Sequence, residues 1–263
     1  MRRRGRAHPP GRMGGGAATG DRRCCVFPQL IGPLTLDRVT GLPGEMPLIG
    51  TPVVAGIGFV VFVLVFLPVT ASWIGSISTI AHEGGHVAMA ILTFRNPKGF
   101  VLDENTHGGS GGSTDADSSW GAGAILTGIV GYATPPLLGW GGAHLVAEGR
   151  AVAVLWIAAV LLLSSFFMAR GLFTNLVVLL VGAGIVWALV GGNAAWQAAV
   201  AVGLVWVMLF GAIKGLLQLG FGSRGDAAIL ARVTWIPAII WILGWWALTL
   251  VCLYRGVRLL LPF

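Results

Sequence analysis

The chain has 263 residues, 56% of them hydrophobic and 10% charged, with 17 Lys and Arg against 10 Asp and Glu for a net charge of +7. That balance excludes a water-soluble globule, and repeated apolar runs of about 20 residues mark an integral membrane protein. The basic excess does not imply nucleic acid, because eight of the 17 basic residues precede residue 50 and the first apolar run, where they report on topology.

Residues 1–50 mix Arg, Gly and Pro without an apolar period, the composition of a disordered basic tail. No short apolar core with a small-residue cleavage site follows the arginines, so a secretory signal peptide is not expected, and Met46 offers an alternative start just ahead of the first span. Cys24, Cys25 and Cys252 have no C-x-x-C spacing and form no redox or metal motif.

Spans are expected at 51–69 and 71–93, joined by a tight hairpin near Pro68. The second carries Ile80-Ala81-His82-Glu83-Gly84-Gly85-His86-Val87, an H-E-x-x-H signature inside an apolar run. Residues four apart share one helix face, so His82 and His86 can offer two imidazole nitrogens to one zinc ion, with Glu83 placed to deprotonate a water that the metal has acidified. With five His in 263 residues, chance placement of these three positions has a probability of about one in a thousand. A buried acid in mid-span costs about 3 kcal/mol on insertion scales, which makes Glu83 a functional candidate.

Residues 94–119 break the apolar pattern with charged, Gly and Ser residues and read as an aqueous loop. Within it, 99–103 has two open readings, a short strand able to pair with an extended substrate or a plain linker. Residues 120–147 predict a span kinked at Pro135 and Pro136. Further spans are expected at 151–168, 172–190, 194–213 and 234–254, with 214–233 a polar connection holding Lys214, Gln218, Arg224, Asp226 and Arg232. The expected fold is an all-α polytopic transmembrane bundle of six or seven spans over residues 51–258, its zinc site between helices.

With the N-terminus in the cytoplasm, 14 Lys and Arg fall on that side and 3 outside, which orients the chain in the plasma membrane. His86 then lies on the order of 10 Å from the cytoplasmic end of its helix.

A catalytic zinc takes three protein ligands. Among Asp103, Glu104, His107, Asp115, Asp117, His144, Glu148 and Asp226, the topology sends His144 and Glu148 to the opposite face and leaves the residues of 94–119 on a Gly/Ser-rich segment poorly able to hold a ligand rigidly. Asp226 stands at the start of a membrane segment on the motif's own side, with Glu104 as runner-up. Ser223-Arg224-Gly225-Asp226 also reads as a helix start in which the aspartate serves only the helix dipole.

The H-E-x-x-H in a spanning helix, the break Gly131-Tyr132-Ala133-Thr134-Pro135-Pro136 and Gly225-Asp226-Ala227 together resemble the site-2 protease family of zinc intramembrane metallopeptidases. Larger members carry Asp-Gly at the third-ligand position and this chain Asp-Ala, as in small bacterial members. No inter-helix segment is long enough for a PDZ domain. The resemblance implies one zinc ion, hydrolysis of a peptide bond in a membrane protein or peptide substrate within the lipid bilayer, and no nucleic-acid partner. Asn175 and Gln218 are the candidates for steadying the oxyanion or donating a proton. Two other readings stay open: a transporter or metal-handling protein using His82, Glu83 and His86 as an ion path, and a non-catalytic relative that binds membrane partners.

Overall fold

The protein is described from a computed structural model, which covers residues 50–95, 97–103, 111–116, 121–222 and 224–261. The basic tail with Met46, the loop residues Glu104 and His107, Asp117 and Ser223 lie outside the described residues. In chain order the elements are α1 (Thr51–Phe66), α2 (Pro68–Leu92), β1 (Pro97–Asp103), β2 (Gly111–Ala116), α3 (Ala122–Ala147), α4 (Ala151–Met168), β3 (Ala169–Arg170), α5 (Leu172–Gly191), α6 (Ala194–Leu219), α7 (Gly225–Thr234) and α8 (Ala238–Leu260).

Five helices, α3 to α6 and α8, are long and apolar enough to cross a membrane, and a sixth span arises if α1 and α2 count as one broken span bent by 105°. The two separate spans and hairpin expected at 51–93 are therefore replaced by an elbow, with a chemical cause. Leu67 takes the extended conformation (φ −72°, ψ 123°) favoured before proline, and Pro68 opens α2, where its missing N–H costs nothing. That missing N–H also deprives the Leu64 carbonyl of its helical donor, and the Thr70 hydroxyl donates to it instead at 2.7 Å. Thr70→Val should therefore lower stability by about 1–3 kcal/mol, the cost of orphaning a carbonyl in an apolar setting. Thr70→Ser should retain it, as thermal unfolding of the two purified variants will show.

Residues 214–233 are not a polar connection. Helix α6 continues to Leu219 and takes in Lys214 and Gln218, while 225–234 form the short helix α7. Lys214 is buried and its Nζ donates to the Ala71 carbonyl in the first turn of α2 at 2.8 Å, an ammonium reaching along its alkyl stem to backbone oxygen. It no longer belongs in a count of loop charges.

The segment expected to be an aqueous loop folds in part into a sheet of order β2-β1-β3. β1 is antiparallel to β2, from Phe100↔Thr114 to Asp103↔Gly111, and parallel to β3 at Phe100↔Ala169 and Val101↔Arg170. Phe100 and Leu102 are buried, and the Leu102 N–H donates to Thr174 Oγ1 of α5 at 3.0 Å. The strand at 99–103 thus exists, but it is central with a partner on each side. The outer edge of the sheet belongs to β2.

The helices pack around α3 and α6. Leu209, Val205, Val202 and Trp206 of α6 are buried against α1 and α3, while Phe59, Leu163, Phe167, Leu179 and Leu243 point outward. An apolar exterior of this kind suits a hydrocarbon solvent. Polar side chains within the helices return to their own backbone, Ser76 to Ser72 O at 2.6 Å and Thr79 to Gly75 O at 3.2 Å, which meets the demand that polar groups be paired inside a bilayer.

Candidate metal centre

Three side chains converge where α2, α3 and α7 meet. His86 Nε2 lies 3.1 Å from His82 Nε2 and 3.2 Å from Asp226 Oδ2, and His82 Nε2 lies 3.3 Å from the same oxygen. Three corners of a tetrahedron with zinc–ligand bonds of 2.0–2.1 Å stand about 3.3 Å apart. The triangle therefore has the size of a zinc site.

Local chemistry supports the fit. His86 Nδ1 lies 2.8 Å from the Thr127 carbonyl on α3, and since a carbonyl only accepts, Nδ1 carries the proton. In the neutral ring Nε2 is then a bare lone pair facing a second imidazole nitrogen and a carboxylate oxygen, three electron-rich atoms that a cation between them would reconcile. Thr127 is itself fixed, its hydroxyl donating to Gly123 O at 2.7 Å and accepting from Arg95 Nη1 at 3.2 Å. Asp226 supplies the carboxylate oxygen of the group, with 17% of its side chain exposed.

Packing of α2 on α3 sets the spacing. Gly131 of α3 faces the imidazoles, and a Cβ there would overlap His86 Cε1 and Nε2 and come within 2.9 Å of His82 Cε1. Gly85 answers it from α2, where a Cβ would overlap Thr134 Oγ1 and approach Val130 Cγ1 to 3.3 Å. Small residues on both surfaces let the backbones approach closely enough to seat the histidines between them. Tyr132 walls one side, its ring edge-on to His82 at 4.4 Å between centroids and against Trp245 of α8 at 4.7 Å. Trp245 is held in turn by its indole N–H, 3.1 Å from the Ile129 carbonyl.

Asp226 arrives on α7, whose Leu230 packs against Gly128 of α3 at 3.1 Å from the position of a Cβ. The N-cap of α7 is Arg224, without a side-chain capping bond, and Asp226 lies in the first turn, so its carboxylate reaches the histidines instead of closing a capping box. Glu83 follows His82 on α2, is 3% exposed, and lies near enough to act electrostatically on His86 and Tyr132. Of the two candidates for oxyanion support, Gln218 is exposed near the end of α6 and Asn175 sits in the first turn of α5, whose Phe173 meets Trp73 at the far end of α2. Sequence reasoning passed over Thr127 and Tyr132, which a spacing motif confined to α2 cannot specify. Gly131 and Tyr132 had a trace in the small-residue stretch ahead of the proline pair.

Fold and site together define a class, a polytopic helical membrane protein with a semi-buried two-histidine, one-carboxylate group able to hold a metal ion. The chain belongs to the Peptidase M50B-like family of site-2 protease type, whose family model matches residues 55–256, and is thereby a member of a family of zinc-dependent membrane metallopeptidases. No match was found among curated proteins or among solved structures.

Proposed function

We propose that the protein is a zinc-dependent intramembrane metalloendopeptidase that hydrolyses a peptide bond of a membrane protein substrate, with His82, His86 and Asp226 as metal ligands and Glu83 as the catalytic residue. The observation that carries this reading is the triangle of donor atoms with sides of 3.1 to 3.3 Å beside a buried glutamate. Zinc held there supplies Lewis-acid polarisation of the scissile carbonyl and acidification of water. Glu83 accepts a proton from the attacking water and returns it to the amine that departs as the C–N bond breaks. The Thr127 carbonyl fixes the tautomer of His86, and Gly131 keeps the space between α2 and α3 open to the two rings. Tyr132, edge-on to His82, replaces Asn175 and Gln218 as the candidate for steadying the developing oxyanion. An extended substrate would add to the outer edge of β2, since β1 is paired on both sides.

The reading further takes residues 51–258 as one metallopeptidase domain behind a basic tail at 1–50, in the plasma membrane with the N-terminus and the site end cytoplasmic, which has the bent pair α1 and α2 enter and leave the bilayer on one side as a re-entrant loop and not cross it as one broken span. Without the tail and Lys214, the site end carries Arg95, Lys98, Arg170, Arg224 and Arg232 against Arg150, Arg255 and Arg258 at the other, the positive-inside direction. A cysteine at the exposed position 94 (Phe94→Cys), at the end of α2, should resist an impermeant thiol reagent in intact cells and react in inverted vesicles. Labelling from outside would reverse the orientation.

Metal analysis tests the ligand set. The purified full chain should hold one zinc ion, and Asp226→Ala, which leaves only two ligands, should reduce occupancy at least tenfold under mild chelation, while Glu104→Ala keeps it. Full zinc content in the Asp226 variant discards that assignment.

A further inference from the structure

Lys214 is a buried charge on α6 that lies outside the metal centre. It is 6% exposed, and among the described residues it is paired with no carboxylate; its Nζ donates to the Ala71 carbonyl at 2.8 Å. For stability alone this is a poor place for a lysine. Taking an ammonium out of water inside a bilayer is costly, and one hydrogen bond to a carbonyl at best offsets that cost. A cation at the first turn of α2 also opposes the helix dipole, whose positive end lies there. A methionine would fill the same space without either penalty.

What the lysine adds is direction. Trp206, Phe210 and Lys214, spaced four apart, share one face of α6. Trp206 holds α1, its indole N–H donating to the Val54 carbonyl at 3.3 Å and its ring 2.8 Å from where a Cβ on Gly58 would stand. Phe210 stacks on Trp206 at 5.0 Å between centroids and meets Phe62 of α1 edge-on at 5.5 Å. One turn further along the same face, where the chain has bent at Pro68, Lys214 meets α2. Thr70 closes the figure by tying α2 back to the Leu64 carbonyl of α1. Beside the lysine, Gly211 lies so close to Ser78 of α2 that a Cβ would overlap the serine. Small residues let two helices approach closely but offer no side chain to stop one swinging on the other. We propose that Lys214 is the latch that sets the angle between α1 and α2, and thereby a positioning residue that delivers His82 and His86 to Asp226. The proposal rests on the reading of those three side chains as metal ligands. His82 is 11 residues beyond Ala71 on one continuous helix, about 16 Å at 1.5 Å per residue. A swing of about 10° at the elbow would displace its imidazole by about 3 Å. That is close to the 3.1 to 3.3 Å sides of the donor triangle, so the triangle would open.

Nitroxide labels on cysteines placed at exposed Val60 of α1 and Leu92 of α2 read the elbow by pulsed electron–electron resonance. The full chain is used, with Cys24 and Cys25 changed to serine and the buried Cys252 left in place. The parent should give one narrow distance distribution. In Lys214→Met, which keeps an unbranched apolar stem, the distribution should broaden and zinc affinity should fall about tenfold. The unfolding temperature of the metal-free variant should stay within about 3 °C of the parent or rise. Should Lys214→Met fail to fold, Lys214→Gln carries the test. Its amide is one atom shorter and reaches the carbonyl only by drawing α2 toward α6, so the distance should shift and zinc affinity again fall. A parent-like distance in the variant that folds, or a lowered unfolding temperature with parent-like zinc affinity, overturns the proposal and leaves Lys214 a residue of stability alone. The nitroxide distance needs no metal, so a parent chain that binds no zinc would count against the ligand set and leave the test of the elbow standing.

Discussion

Glu83→Gln should retain stoichiometric zinc and lose cleavage of a membrane-spanning substrate by 10²- to 10⁴-fold, the span that a positioned proton-transfer group contributes. Glutamine has the volume and planarity of glutamate, so the buried position on α2 keeps its packing, and the triangle of His82, His86 and Asp226 does not include residue 83. What disappears is the capacity to take a proton from water and return it to the leaving amine. Zinc analysis with single-turnover cleavage of a reporter substrate separates the two effects. A variant that cleaves within threefold of the parent removes Glu83 from the mechanism. A variant that loses zinc instead places residue 83 in the metal-holding set. Altered ion flux in vesicles, with no cleavage by the parent protein, would favour an ion pathway through the same residues.

Gly131→Ala should abolish zinc binding and activity although it adds only a methyl group. Helix propensity alone favours alanine over glycine by about 1 kcal/mol, so the intrinsic effect on α3 is stabilising. The methyl carbon, however, would occupy the space of the His86 ring and crowd His82, and the backbone of α3 can withdraw only by pulling Thr127 away from His86 Nδ1. Both routes break the arrangement of the three donor atoms. Gly85→Ala, whose methyl would overlap Thr134, should act in the same direction by forcing α2 from α3. Gly84→Ala is the internal control, because its nearest neighbour is Ser165 Oγ at 3.9 Å and the methyl group fits. Zinc titration of the three variants reads the result directly, and equal loss in Gly84→Ala and Gly131→Ala would show that general helix disturbance, and not contact with the histidines, is responsible.

The two glycines of the H-E-G-G-H stretch are indistinguishable as sequence, yet only Gly85 meets another helix closely. The same division runs through the molecule. A spanning helix is legible because its length and apolarity answer to the bilayer alone, so α3 to α6 and α8 lie close to the expected segments. His82 and His86 are legible as a pair because 3.6 residues per turn put them on one face. Local patterns also carried Asp226 as a ligand candidate, through its position at a helix start on the motif's side of the membrane.

Other features depended on partners distant in sequence. Lys214 reads as a loop residue until a carbonyl 143 positions away accepts its hydrogen bond. The segment at 94–119 reads as a linker because its strands are short and rich in Gly and Ser, and the pairing of β1 with β3 spans about 70 residues. Pro68 announced a break in the chain but not its 105° angle, which depends on how α1 and α2 pack against α6. The sequence by itself determined the solvent, the number of spans to within about one, and the placing of His82 and His86 on one face of α2, since each follows from composition or from a helical period. Tertiary structure alone decided that Asp226 closes the triangle, that Thr127 fixes the imidazole and that Gly131 leaves room for both rings. Those are distances of 3 Å or so between atoms on three different helices, and no period within one helix encodes them.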